Sequence, residues 1–318
     1  MDPKLVLAIS GGGSRGIMPA TILDLIQSEL GVSIAKFDLV VGTSAGAILS
    51  MYATANPGPL AELFSVSNLE HMCDKSLWDR TMGVVQFSPV YNGVGKRQLL
   101  QQYFGDRTMG EWSPHHIAMP VYNLYQKQTE ICTTYLESQK NLKVVDVLNA
   151  ATAAAPYFPP VFLKESLYVD GGFAANDPLL LAYTEARELF GPDCPIRLLA
   201  LGTGRQIPNN VYKAEPIREW GAIQWVQNSL VELLMSAPMD LEVDNLQRIM
   251  KLDSPHNRVL WINPDIDTRF TLDCTDPIDL ATLATLAANS FRKHQPDLVH
   301  FFHTENCPQW ETVMRTRF

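Results

Sequence analysis

Three short stretches of this chain carry residue types that can do chemistry together. Gly42-Thr43-Ser44-Ala45-Gly46 sets a serine between two glycines. Where such a pentapeptide joins a strand to a helix, the chain reverses so sharply that the hydroxyl stands out above the sheet, at the positive end of the helix. That setting suits a nucleophile, because an alkoxide-like oxygen is favoured there; a serine that only N-caps a helix is the plainer alternative. Gly11-Gly12-Gly13-Ser14-Arg15-Gly16 offers consecutive backbone N–H groups at a helix start, able to hold developing negative charge. Asp170-Gly171-Gly172 follows a short apolar run and supplies a carboxylate, either as a simple turn residue or as a base for the serine.

Other chemistries fit these residues less well. The first glycine turn also matches G-x-G-x-x-G, but a dinucleotide site needs an acid at the end of the following strand. The nearest acid, Asp38, stands at the beginning of that strand, and its end is the serine turn itself. A serine, acid, histidine order would require His294, His300 or His303 as base, yet in the fold that uses this order several strands precede the nucleophile, whereas Ser44 follows only the second. None of the seven histidines (His71, His115, His116, His256, His294, His300, His303) lies beside a turn at the end of a confident strand. His300, His303 and Cys307 could be drawn as metal ligands, but that spacing arises by chance on a terminal helix, so neither a metal nor a cofactor is expected.

The elements that must position these groups are readable from apolar spacing. Leu5 to Ile9 is a short apolar run ending in glycines, and Ala20, Leu23, Ile26 and Leu30 then recur at helical spacing up to Gly31. Phe37 to Val41 predicts a second strand, and Ala47 to Ala55 a helix stopped by Asn56-Pro57-Gly58-Pro59. Two strand-turn-helix units imply a parallel sheet with helices on its faces. Met119 to Tyr125 and Thr129 to Tyr135 predict a hairpin, and Val144 to Ala155 a helix ended by Pro156. Leu167 to Val169 predicts a strand parallel to the first two, which would deliver Asp170 to the same rim as Ser44. Pro178 to Phe190 predicts a helix and Ile196 to Leu201 a strand entering Gly202-Thr203-Gly204.

Composition bounds the rest. The 318 residues are 46% hydrophobic and 19% charged, as in a compact globular protein. With 25 basic and 34 acidic residues the net charge is −9, which disfavours nucleic acid as a partner. Five dispersed cysteines without a C-x-x-C pair fit a reducing compartment. The apolar run after Met1 is too short for a signal peptide, and no run approaches about 20 apolar residues, so a cytoplasmic protein is expected. No linker or repeat divides the chain; one domain is expected over residues 1–318, with a motif-bearing core over about 4–205 and a helical elaboration over about 206–318.

Taken in order, Gly11 to Gly16, Gly42 to Gly46 and Asp170 to Gly172 resemble the motifs of the patatin-like phospholipase family. Ala150-Ala151-Thr152-Ala153-Ala154-Ala155-Pro156-Tyr157-Phe158-Pro159-Pro160 and Leu201-Gly202-Thr203-Gly204 are similar to it as well. The resemblance implies a three-layer α/β/α fold with a mainly parallel central sheet. It also implies hydrolysis of lipid acyl esters by a Ser/Asp dyad without histidine or metal. Ser44 would be the nucleophile and Asp170 the proton acceptor. An oxyanion hole would be made by the Gly11-Gly12-Gly13 turn, Ala45 and Arg15, with Gly16, Gly42, Gly46, Gly171 and Gly172 as framework. A membrane or micellar lipid is the implied substrate; the alternative is an effector of the same chemistry held inactive until a cyclic nucleotide or a protein partner binds.

Two surface features are open to lipid readings. Lys96 and Arg97 could meet a phosphate headgroup or begin a solvated helix. The segment from Trp220 to Met235 carries Ile223, Val226, Leu230, Leu233 and Leu234 on one helical face, which packs on the sheet, borders an acyl channel or touches a bilayer. Because the global charge opposes anionic membranes, attachment should rest on apolar contact. Liposome flotation is expected to survive moderate salt and neutral lipid; strict dependence on anionic lipid would refute it.

Overall fold

The computed structural model describes residues 2–55, 58–73, 89–112, 115–207 and 237–303, together with residues 221, 224, 233 and 234. Its main sheet is built from β1 (Lys4–Ile9), β2 (Leu39–Gly42), β3 (His116–Asn123), β4 (Gln128–Thr133), β5 (Val161–Leu163), β6 (Ser166–Asp170), β7 (Ile196–Leu201) and β9 (Arg258–Ile262). The order is β5-β6-β3-β2-β1-β7-β9, with β4 also on β3; β8 (Arg205–Gln206) and β10 (Asp265–Ile266) form a separate pair. From β3 to β9 the neighbouring strands run parallel. β2 is buried along its whole length, as parallel strands covered on both faces are.

Alternation along these strands divides the core in two. Leu7, Ile9, Val40, Leu199 and Leu201 face one side. There they meet buried residues of α1 (Ile17–Leu30), α2 (Ala45–Ala55), α5 (Val144–Ala151) and α9 (Pro277–His303). Val6, Ala8, Leu39, Val41, Leu198 and Ala200 face the other, against α7 (Leu179–Phe190) and α8 (Met239–Asp253). The result is a three-layer α/β/α arrangement around a mixed, mainly parallel sheet. α3 (Val66–Met72) and α4 (Val94–Phe104) pack together, and α4 also packs on α5; α6 (Gly172–Ala175) is a single turn.

The hairpin forms as expected, with β3 and β4 antiparallel from Ala118 opposite Thr133 to Asn123 opposite Gln128. Asn123 Oδ1 accepts the N–H groups of Tyr125 and Gln126 at the turn. Three expectations need correction. The helix from Val144 ends at Ala151 rather than Ala155: Pro156 has no N–H for the Thr152 carbonyl and disfavours helical backbone at Ala155, and Lys96 Nζ donates to the Asn149 and Thr152 carbonyls instead. β6 runs antiparallel to β3, not parallel to the first strands. The C-terminal part is not purely helical: β9 extends the main sheet, and Asn257 fastens its start by accepting the Ile196 N–H at 2.9 Å. Most of the helix expected over Trp220 to Met235 and the residue Cys307 lie outside the described residues, as does the His303 side chain; of that helix's apolar face, Leu233 and Leu234 are described and are exposed.

α9 therefore belongs to the core, with Leu283, Ala287 and Phe291 fully buried against the α1 side of the sheet. Phe291→Ala is expected to lower the unfolding free energy by about 3–5 kcal/mol, measured by urea titration. A loss under about 1 kcal/mol would mean that the helix is peripheral.

Candidate active site

The geometry of β3 brings the two predicted residues together. β4 occupies one edge of β3, so β2 and β6 share the other: β2 pairs with His116 to Ala118 and β6 with Val121 to Asn123. Since β2 runs with β3 and β6 against it, their carboxyl ends meet head-on beside Met119 and Pro120. A proline fits this gap, where no strand is present to receive an N–H. Ser44 leaves one strand end and Asp170 completes the other.

Around Ser44 the chain is constrained. After β2 it turns through Thr43 and Ser44 into α2, and Ser44 has φ 55°, a left-handed conformation that a non-glycine residue adopts only when its surroundings impose it. Close packing imposes it here: a side chain on Gly46 would overlap the Ile9 carbonyl oxygen of β1, and one on Gly42 the Gly46 carbonyl oxygen. Ser44 is 8% exposed and immediately precedes α2.

Asp170 is 1% exposed. Its Oδ1 accepts the Gly172 N–H at 2.7 Å, while Oδ2 has no hydrogen-bond partner among the described residues. Burial pushes the carboxyl up to about 6, against opposing influences from the Ser44 hydroxyl, the Gly172 N–H and the Lys96 ammonium. Ser44 thus stands within interaction range of the carboxylate.

The glycine turn is fastened from several directions. Ser10 Oγ donates to Asp177 Oδ1 at 2.5 Å, the Gly11 N–H to the Asn176 carbonyl at 2.9 Å, and Thr203 Oγ1 to the Gly11 carbonyl at 2.6 Å. Gly13 has φ 57°, and a side chain there would overlap the Leu272 carbonyl oxygen, so both conformation and space require glycine. Of the expected oxyanion donors, the Gly11 N–H is therefore engaged by Asn176 and leaves the set. The N–H groups of Gly12, Gly13 and Ala45 have no protein acceptor among the described residues. Arg15 is buried in the turn that follows. Gly16 packs so closely on the Phe64 ring, and Gly171 on the Pro120 carbonyl, that neither has room for a side chain.

Asn176, Thr203 and Lys96 belong to this environment, a place that the sequence reading assigns to none of them. A Cβ on Gly11 would meet Asn176 Oδ1 and lie 3.2 Å from Ser44 Cβ. The signal for Asn176 and Thr203 was their closeness to Asp170-Gly171-Gly172 and to Gly202 and Gly204. Lys96, expected at the surface, is instead buried. His116 Nδ1 contacts the Asp38 carbonyl and His294 Nδ1 the Ser290 carbonyl. Asp38 itself pairs with Lys4 at 2.7 Å, a structural role. Among the described residues no group of three His, Cys, Asp or Glu side chains is arranged to hold a metal ion, and no helix is long and apolar enough to cross a membrane.

A family model and the curated relatives identify the family. A model described as patatin-like phospholipase matches residues 7–183. The chain is 33% identical over 330 residues to a cGAMP-activated phospholipase of Pseudomonas aeruginosa (strain BWHPSA011 / Pa011), covering 95% of each. It is 26% identical over 328 residues to patatin-like protein 2 of Arabidopsis thaliana, covering 88% of this chain and 79% of that one. Among solved structures, VipD from Legionella pneumophila aligns with a TM-score of 0.49 at 15% identity, over 92% of this chain and 67% of VipD. The chain belongs to the patatin-like phospholipase family.

The buried carboxylate has a consequence for stability. An acid whose folded pKa, about 6, exceeds its ordinary 3.8 contributes stability that is fully present below the lower value and lost as pH rises through the higher. Asp170→Asn removes that penalty and is expected to stabilise the protein at pH 8 by on the order of 2–3 kcal/mol, the gain vanishing below about pH 4. Urea unfolding at both pH values measures it; a variant less stable at pH 8 would contradict the assignment.

Proposed function

We propose that the protein hydrolyses acyl ester bonds of lipids, phospholipids among them, with Ser44 as nucleophile and Asp170 as its proton acceptor. The observation that carries this reading is the head-on convergence of β2 and β6, which sets a serine at φ 55° beside a buried carboxylate. In the reaction Ser44 Oγ gives its proton to Asp170 and attacks the ester carbonyl. The tetrahedral oxyanion is held by the N–H groups of Gly12, Gly13 and Ala45, with Arg15 adding positive charge nearby; losing one such donor typically costs about 10²–10³ in rate. Collapse expels the alcohol, protonated by Asp170, and leaves an acyl group on Ser44. Water then attacks, again with Asp170 as base.

A carboxyl raised to about 6 is a better proton acceptor at neutral pH than an ordinary one. Activity should therefore rise with pH through that value as Asp170 ionises. No step calls for a metal.

A second reading, in which the same site is held silent until a nucleotide binds, is favoured by the 33% identity, over 95% of both chains, to a phospholipase named as cGAMP-activated. One assay addresses both: fatty-acid release from mixed phospholipid vesicles with a calcium chelator, for wild type, Ser44→Ala and Asp170→Asn. Wild-type release abolished in both folded variants is the expected result. Activity that persists in Asp170→Asn would refute the dyad. A wild type silent alone and active with a cyclic dinucleotide would select the gated reading.

A further inference from the structure

Lys96 is 2% exposed and forms no direct ion pair among the described residues. A buried ammonium is costly unless its donors are satisfied, and here they are met without a carboxylate. Nζ donates to the Asn149 carbonyl at 3.1 Å and the Thr152 carbonyl at 3.0 Å, and lies 4.4 Å from the centroid of the Phe158 ring. Its seat is prepared by Gly95, where a side chain would overlap the His71 carbonyl of α3, so α3 and α4 can approach closely.

The two carbonyls lie at the carboxyl end of α5, where cationic side chains are favoured. The next residue, Ala153, accepts the Asp170 N–H at 3.1 Å. A short path thus leads from Lys96 through Thr152 and Ala153 to the backbone of the proposed base. The same neighbourhood contains the Arg97–Asp146 ion pair between α4 and α5 on the outer side. Tyr91, whose ring lies tilted against that of Phe158, donates its hydroxyl to Asp273. On the Asp170 side stand Ser44 and the Gly172 N–H.

Resting on the proposed dyad, we infer that Lys96 is a positioning residue for it: the ammonium clamps the end of α5 and the Ala153–Phe158 segment against α4, and so holds the backbone that receives the Asp170 N–H. The two groups act on each other. Burial brings Lys96 down to about 7 while the Asp170 charge opposes that fall, and the Lys96 charge in turn opposes the rise of Asp170 to about 6. The cation therefore matters most in mild acid, where Asp170 would otherwise hold its proton. Above neutrality Lys96 becomes an amine that still donates to both carbonyls, and Asp170 is ionised without help.

Two measurements test this. The first is the pH profile of kcat/KM for wild type and Lys96→Met on a water-soluble short-chain p-nitrophenyl ester. The acid limb should move to higher pH by on the order of one unit, giving about a tenfold deficit near pH 5.5 that shrinks toward pH 8.5. A uniform loss with an unmoved limb, or no loss at all, overturns the inference.

The second leaves Lys96 in place. NMR of protein labelled at the lysine ε-carbon should show one lysine titrating near neutrality in wild type and lower in Asp170→Asn. A spectrum with no lysine titrating below about pH 9, or with one unmoved by that substitution, also overturns the inference. Failure of the dyad itself would be seen separately, as hydrolysis persisting in Ser44→Ala.

Discussion

One constraint organises the molecule: two strands end against each other on the same edge of β3. β3 is longer than β2, so its second half projects past the parallel rim and offers free pairing positions to an antiparallel strand. β6 takes those positions and stops where β2 begins its turn. The gap between the strand ends is bounded by Pro120 and Gly171, packed so closely that neither a strand N–H nor a side chain is accommodated. Both chains leave the gap into helical turns, α2 on one side and α6 on the other. On the α6 side the first N–H, that of Gly172, is taken by Asp170 itself.

The rim around that gap is tied by hydrogen bonds that converge on one segment. Residues 175–177 receive the Thr43 hydroxyl at the Ala175 carbonyl, the Gly11 N–H at the Asn176 carbonyl and the Ser10 hydroxyl at the Asp177 carboxylate. The exits of β1 and β2 are thereby fixed to the segment that follows Asp170, and Thr203 adds the exit of β7. Rigid backbone donors of this kind need little reorganisation when charge develops. The cost is carried by Asp170, a buried acid that the fold would rather keep protonated.

Much of this was legible in the chain. Leu5 to Ile9 and the apolar residues up to Val41, each closed by glycines, specify two strand-turn-helix units without help from distant residues. What escaped depended on partners far away in sequence. Leu167 to Val169 announces a strand but not its direction, because alternation and turn residues say nothing about which neighbour will pair with it. The Gly11 N–H is engaged by a carbonyl that no local rule connects to it. Lys96 was misread because a lysine beside an arginine at a helix start normally faces water, and only the α5 carbonyls and the Phe158 ring make its burial tolerable.

These observations also bear on why two residues suffice in the proposed mechanism. Without an imidazole between serine and carboxylate, the carboxylate must itself take the proton, and an ordinary one is too weak a base near neutrality. Burial raises its affinity for the proton. Unopposed burial would leave it protonated and useless, so an opposing positive influence is required. The Ser44 hydroxyl, the Gly172 N–H and the Lys96 ammonium oppose the rise, and the carboxyl is held at about 6. The fold thus solves a tuning problem with desolvation on one arm and a buried cation on the other, and neither arm is visible in the three glycine-rich motifs.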